Sequence, residues 1–195
     1  MSVYEIIQKR RTIRRFQPRR IPLITLRKIV DSGRMGPSAM NLQPWEFIIV
    51  DSPQLVSAVF EQTQWAGYLP REQGRPPKGQ EPTAFIVVLF NKRFSSRWTH
   101  HDIGAAVENM ILVALEEGIG SCWIGSVNRP KVMELLEIPE EYEIDSVLAL
   151  GYPAEEPIAF DLDESVKYYR DEQGRLHVPK RRLDSVLSHN RFGQR

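Results

Sequence analysis

The segment from His100 to Gly118 constrains the fold more than any other part of the chain. Its apolar residues Ile103, Ala106, Val107, Met110, Ile111, Val113, Ala114 and Leu115 recur at helical spacing but spread over most of the helix circumference. A surface helix carries one apolar stripe, whereas a helix apolar on most sides has to be covered on most sides. The chain therefore needs a sheet and other helices around this element, or a second subunit against it. With 195 residues, 42% hydrophobic and 26% charged, it has material for one domain with a sizeable core.

Around that helix, helical and strand patterns alternate. Ser2 and Glu5 have capping-box spacing and open a short helix that delivers Arg10 and Arg11 at its end. Pro22, then Leu23, Leu26, Ile29 and Val30, mark a second helix ending near Gly33. Gly36 to Pro44 reads as a loop, Trp45 to Val50 as a buried strand, and Ser52-Pro53 as a helix start. Ala84–Phe90, Ser121–Val127 and Asp145–Gly151 read as strands, Arg129–Ile138 as a helix, Gln173-Gly174 as a turn and 180–190 as a last helix. Residues 61–82, with Pro70, Pro76, Pro77 and Pro82, are a long irregular excursion of the kind that forms a lid. Taken alone, the alternation suggests a doubly wound parallel sheet.

The net charge of +1 gives no global field for nucleic acid, yet both ends of the chain are basic. Arg10, Arg11, Arg14, Arg15, Arg19 and Arg20 cluster near one end and Lys180, Arg181 and Arg182 near the other. These are either two solvated ends or two halves of one anion site. A single cysteine, Cys122, excludes an internal disulfide and suggests a reducing compartment. It lies in an apolar strand, where an inert buried thiol is expected. No apolar run has the length of a membrane span, and MSVYEIIQKR lacks a signal-peptide core, so a cytoplasmic protein with no membrane partner is expected.

The familiar catalytic motifs are missing. There is no G-x-G-x-x-G, no phosphate loop and no nucleophile elbow, and Gly118-Ile119-Gly120 follows a helix, where a C-cap is the simpler reading. His100 and His101 are adjacent, point about 100° apart on a helix and cannot comfortably share a metal. A chain with neither nucleophile nor metal set leaves the chemistry to an organic cofactor.

Three segments carry a more specific signal: Arg10-Arg11-Thr12-Ile13-Arg14-Arg15-Phe16, then Pro37-Ser38-Ala39-Met40-Asn41-Leu42-Gln43-Pro44-Trp45, then Asp102-Ile103-Gly104-Ala105-Ala106 running through Gly118-Ile119-Gly120-Ser121-Cys122-Trp123-Ile124-Gly125. With the ending Lys180-Arg181-Arg182-Leu183, their order and spacing resemble the nitroreductase family of FMN enzymes over essentially the whole chain. The resemblance implies an α+β sandwich, with a central mixed, largely antiparallel sheet flanked by helices, in an intertwined homodimer. It implies one domain over residues 1–195, with the apolar helix over 102–118 as the dimer helix.

By the same resemblance Arg10, Thr12, Lys180 and Arg182 hold the FMN phosphate, with Arg11 beside them. Thr12 stands where the family usually has serine and keeps the hydroxyl. Arginine suits the task because its fork donates paired, charge-assisted bonds to phosphate. Arg14 matches a basic position near the flavin pyrimidine, where a fixed cation stabilises the charge that reduction places over N1 and the C2 carbonyl. Pro37, Ser38, Ala39 and Met40 would line the partner subunit's flavin, Asn41 and Gln43 would supply amide hydrogen bonds, and Trp123, Ile124 and Gly125 would offer backbone N–H groups near N5 and O4. The implied reaction is ping-pong. NADH or NADPH gives a hydride to the flavin, and a nitroaromatic, quinone, flavin or activated alkene collects the electrons, with no protein acid or base. Two other classes fit parts of the pattern: a non-enzymatic FMN-binding protein, and a phosphate-ligand or nucleic-acid binder using the basic ends.

Overall fold

A computed structural model describes residues 1–194. Four strands form the central sheet: β1 (Trp45–Val50), β2 (Ala84–Asn91), β3 (Gly120–Ile124) and β4 (Tyr142–Gly151). Their spatial order is β1-β2-β4-β3, and all three pairings are antiparallel, with Trp45 opposite Phe90, Val87 opposite Val147 and Gly120 opposite Gly151. The doubly wound parallel alternative is therefore excluded, and the α+β sandwich is the fold. One parallel bridge, Thr12 to Ser121, adds the segment after the first helix to the outer edge of β3.

Strand β2 shows why the sheet is sandwiched. All of its residues from Ala84 to Phe90 are buried, and alternate ones point to opposite faces. Ile86, Val88 and Phe90 pack with α2 (Leu23–Arg34) and α5 (Thr99–Glu116). Phe85, Val87 and Leu89 pack on the other face with α3 (Pro53–Glu61) and α6 (Arg129–Leu135). Helix α5 buries Ile103, Ala106, Val107, Met110, Ile111 and Ala114. Its remaining side, Gly104, Ala105, Glu108, Leu112 and Leu115, is only half-covered. Its C-terminus closes on Gly118 at φ +72, with the Ile119 N–H donating to Ala114 O at 2.8 Å, which is the C-cap read from the sequence.

The first helix, α1 (Val3–Lys9), carries the full capping box: Ser2 Oγ accepts from Glu5 N–H, and the Glu5 carboxylate accepts from Ser2 N–H. Between α3 and β2 lies the single turn α4 (Arg71–Gly74). The 61–82 excursion is tied down at several points: Gln64 N–H donates to Ser126 O, Arg75 pairs with Glu61 at 2.8 Å, and Phe16 N–H donates to Gln80 O.

The C-terminal part departs from the sequence reading. Three short strands, β5 (Ile158–Asp161), β6 (Tyr169–Arg170) and β7 (Leu176–Lys180), form a second sheet in the order β5-β7-β6, with β5 and β7 parallel. They are short, mostly half-covered and interrupted by Pro179, so no alternation announces them. The helix expected over 180–190 is the single turn α7 (Leu183–Val186). It buries no residue, and so short a helix without a packed face does not propagate.

Candidate functional site

The site is built along the free edge of β3. Helix α1 ends at Arg10, whose ψ of 125° turns the chain out of the helix and into an extended run. Thr12 bridges Ser121, and Ile13 N–H donates to Ser121 O at 2.9 Å. Ile13 is buried, so Arg10, Arg11, Thr12 and Arg14 are laid beside the strand by one apolar anchor. Because the Ser121 backbone faces this outer edge, period-two alternation turns the Trp123 backbone the same way and the Ile124 backbone toward β4. Gly125 follows at the strand end, exposed, and a Cβ added there would meet no atom within 4 Å among the described residues.

Cations from both ends of the chain meet at one corner. Lys180 ends β7, and its amine is held below its ordinary value first by partial burial, then by the charges of Arg10 and Arg11. Arg11 is lowered in the same direction by burial and by Arg10. Its guanidinium also donates to the Arg10 carbonyl. Glu108 of α5, 3.8 Å from Arg10 Nε, pulls the other way on Lys180. Residues from the two basic ends thus come close enough to act on one another's charge. Arg182 is exposed and turns to Asp163, with its N–H on Oδ1 at 3.1 Å and its Nε 3.8 Å from Oδ2.

Arg14 sits farther along the same edge. Its backbone N–H donates to Glu155 Oε1 at 2.5 Å, and its guanidinium carbon lies 4.9 Å from the Tyr168 ring centroid. Its Nε is buried and without a hydrogen-bond partner among the described residues. Behind it lies Cys122, whose thiol burial pushes up to about 11 while the Arg14 cation pulls it down.

The loop between α2 and β1 is strained. Ser38 leads into a 3-10 turn at Ala39–Asn41, and Met40, Asn41 and Gln43 all have positive φ, at 52°, 55° and 45°. Non-glycine residues avoid this region because Cβ crowds the backbone. Ser38 Oγ accepts the Gln43 N–H at 3.0 Å, and Asp102 Oδ1 accepts the Ala39 N–H at 3.1 Å. Pro37 and Met40 are exposed, Met40 at 84%.

The sequence reading missed Glu155, Tyr168 and Arg170. Glu155 and Arg170 form an ion pair at 2.7 Å with side chains only 7% and 4% exposed. The pairing joins the loop after β4 to strand β6, and no local spacing signals it.

The chain belongs to the nitroreductase family: the model of that family matches residues 7–152. Among curated relatives, it is 34% identical over 168 residues to a putative NADH dehydrogenase/NAD(P)H nitroreductase from Archaeoglobus fulgidus, covering 82% of this chain and 90% of that one. A crystal structure of a nitroreductase family protein from Clostridium novyi NT superposes with a TM-score of 0.66 at 30% identity, covering 78% of this chain and 87% of the other. Oxidized iodotyrosine deiodinase bound to FMN and 3-iodo-L-tyrosine superposes with a TM-score of 0.68 at 26% identity, covering 87% and 99%.

Proposed function

We propose that the protein binds FMN and works, as a homodimer, as an NAD(P)H-dependent flavin oxidoreductase. The observation that carries this is the meeting of Arg10, Arg11 and Lys180 at one corner, with Arg14 and the open edge of β3 running away from it. A cluster of like charges that depress one another is stabilised by a multiply charged anion, and a terminal phosphate is such an anion. The fit extends past the phosphate. Arg14 Nε is a buried donor in want of an acceptor, and Gly125 leaves the room a flat ring needs. FMN and NAD(P)H also stand in the names of the relatives above.

FMN bound there supplies hydride and electron transfer between NADH or NADPH and an acceptor. The chain's own residues position and polarise. Arg10, Arg11, Thr12 and Lys180 hold the phosphate end. Arg14 presents positive charge at the pyrimidine end, which favours the more negatively charged redox state. The Trp123 and Gly125 backbones offer N–H donors along the strand edge. Residues 61–82, with Trp65, Tyr68 and Arg71, border the place where a flat acceptor enters.

The homodimer completes the site. The half-covered side of α5 and the exposed Met40, Val186, Leu187 and Phe192 are apolar surface in want of a partner. Loop 37–43 of one subunit would line the flavin of the other.

Absorbance decides between this reading and a passive binder. The purified protein should be yellow and bleach when NADH or NADPH is added without air, and oxygen or a quinone should restore the colour. A yellow protein that neither nucleotide bleaches would be a flavin carrier, and a protein that takes up no flavin would be neither. Sedimentation velocity of the flavin-bound form should give a dimer, and an active flavin-bound monomer would contradict the shared site.

A further inference from the structure

Arg14 is an unusual cation. It is half-buried, its Nε has no hydrogen-bond partner among the described residues, and the Glu155 carboxylate beside its backbone pairs with Arg170. Its backbone is fixed by Glu155, but the side chain is supported by an aromatic face, the Tyr168 ring at 4.9 Å. A cation over a ring is held in place while its charge stays available, because the ring quadrupole attracts without neutralising. A carboxylate in that position would cancel the field that Arg14 projects.

The same short stretch reaches in a second direction. Tyr168 Oη accepts the Tyr68 N–H at 3.4 Å, and the two rings lie 5.2 Å apart and tilted by 59°. Two residues on, Arg170 Nε donates to Gln73 O at 3.1 Å, while its guanidinium pairs with Glu155 and donates to Gly174 O. Tyr68 and Gln73 belong to the 61–82 excursion. Residues 168–170 are therefore pinned on one side to Arg14, through Tyr168 and Glu155, and on the other side to the segment beside which an acceptor enters.

We propose that Tyr168 is a positioning residue that seats the Arg14 guanidinium and couples it mechanically to the 61–82 excursion, so that occupancy of the excursion alters the potential of the bound cofactor. The seat and its effect on the potential rest on the flavin reading above; the mechanical coupling is a property of the chain alone. Displacement of Tyr68 by a bound acceptor moves Tyr168, and with it the ring under Arg14.

Three variants separate the two halves. Tyr168→Phe keeps the ring and removes the hydroxyl, Tyr168→Leu removes the ring, and Tyr168→Trp restores an aromatic face. At full FMN occupancy, Tyr168→Leu should shift the midpoint potential of bound FMN to more negative values. Tyr168→Phe should leave it at the wild-type value, and Tyr168→Trp should recover most of the shift. Hydrogen exchange on protein stripped of flavin, read at the peptide containing Tyr68, should be several-fold faster in Tyr168→Phe and Tyr168→Leu. A wild-type potential in Tyr168→Leu overturns the seat, and unchanged Tyr68 exchange in Tyr168→Phe overturns the coupling. A wild-type protein that takes up no FMN overturns the flavin reading and with it the seat, while the exchange result still decides the coupling.

Discussion

Asp102, buried near the start of α5, accepts the backbone N–H of Ala39 at 3.1 Å and so ties the loop between α2 and β1 to the helix that organises the core. Three residues just beyond Ala39 hold left-handed backbone conformations without being glycine. Each costs about 1–2 kcal/mol, which the surroundings have to offset. Asp102→Ala should therefore cost about 1–3 kcal/mol of stability, the usual loss of a hydrogen bond to a carboxylate. Hydrogen exchange at residues 38–43 should accelerate. Unchanged exchange there would mean that the strain is held by other contacts.

Arg10 and Arg14 should fail in different ways. Arg10 belongs to the phosphate corner, where Arg10→Ala should chiefly weaken FMN retention, by about 1.5–3 kcal/mol for a lost bond to a charged group. Saturating FMN should then restore most of the turnover. Arg14 acts where charge appears only on reduction, so Arg14→Ala should lower the flavin potential, and the defect should persist with the site full. FMN dissociation constants and potentials of both variants check this. Full rescue of Arg14→Ala by added FMN at an unchanged potential would leave Arg14 a structural role only.

What the sequence revealed and what it hid follow from the range of the interactions involved. The helix at His100–Gly118 was legible because its periodicity is local and too apolar for a surface element. The capping box at Ser2 and Glu5, and the Gly118 cap, were legible for the same reason. Arg10, Arg11 and Lys180 could be grouped only through the family resemblance, since about 170 residues separate them. The antiparallel order β1-β2-β4-β3 was hidden behind an alternation of helices and strands that also suits a parallel sheet. Strands β5 to β7 lacked any alternation, and the pattern over 180–190 overstated a helix that has nothing to pack against. Glu155, Tyr168 and Arg170 interact with Arg14, Tyr68 and Gln73 at long range, beyond the reach of spacing.

Close packing of Phe16 against the end of β4 gives a stability test. A Cβ at Gly151 would sit 2.7 Å from Phe16 Cδ1, and Phe16 is fully buried. Gly151→Ala should cost about 1–3 kcal/mol through overpacking. A denaturation midpoint equal to wild type would show that Phe16 has room to move.

The buried thiol makes an alkaline prediction. In the native state Cys122 holds its proton up to about pH 11, against an ordinary thiol value of 9.0. The native protein thus binds this proton more tightly than the unfolded chain. Its contribution is fully present below 9.0 and is lost as the pH rises through about 11. Two pH units correspond to a few kcal/mol at most, on the order of 1.4 kcal/mol per unit. Denaturation across this range should show a steeper loss of stability for wild type than for Cys122→Ala. Identical slopes would mean that the thiol is not shielded.

Identifying the released cofactor tests the central claim most directly. The protein is purified without added flavin, or loaded and desalted, then denatured by heat, and the supernatant is separated by chromatography against FMN, FAD and riboflavin. A corner built from Arg10, Arg11 and Lys180 for a terminal phosphate should yield FMN, in an amount approaching one per chain, and Lys180→Ala should reduce it. Recovery of FAD, or of riboflavin retained as well as FMN, would contradict the assignment of that corner to the phosphate.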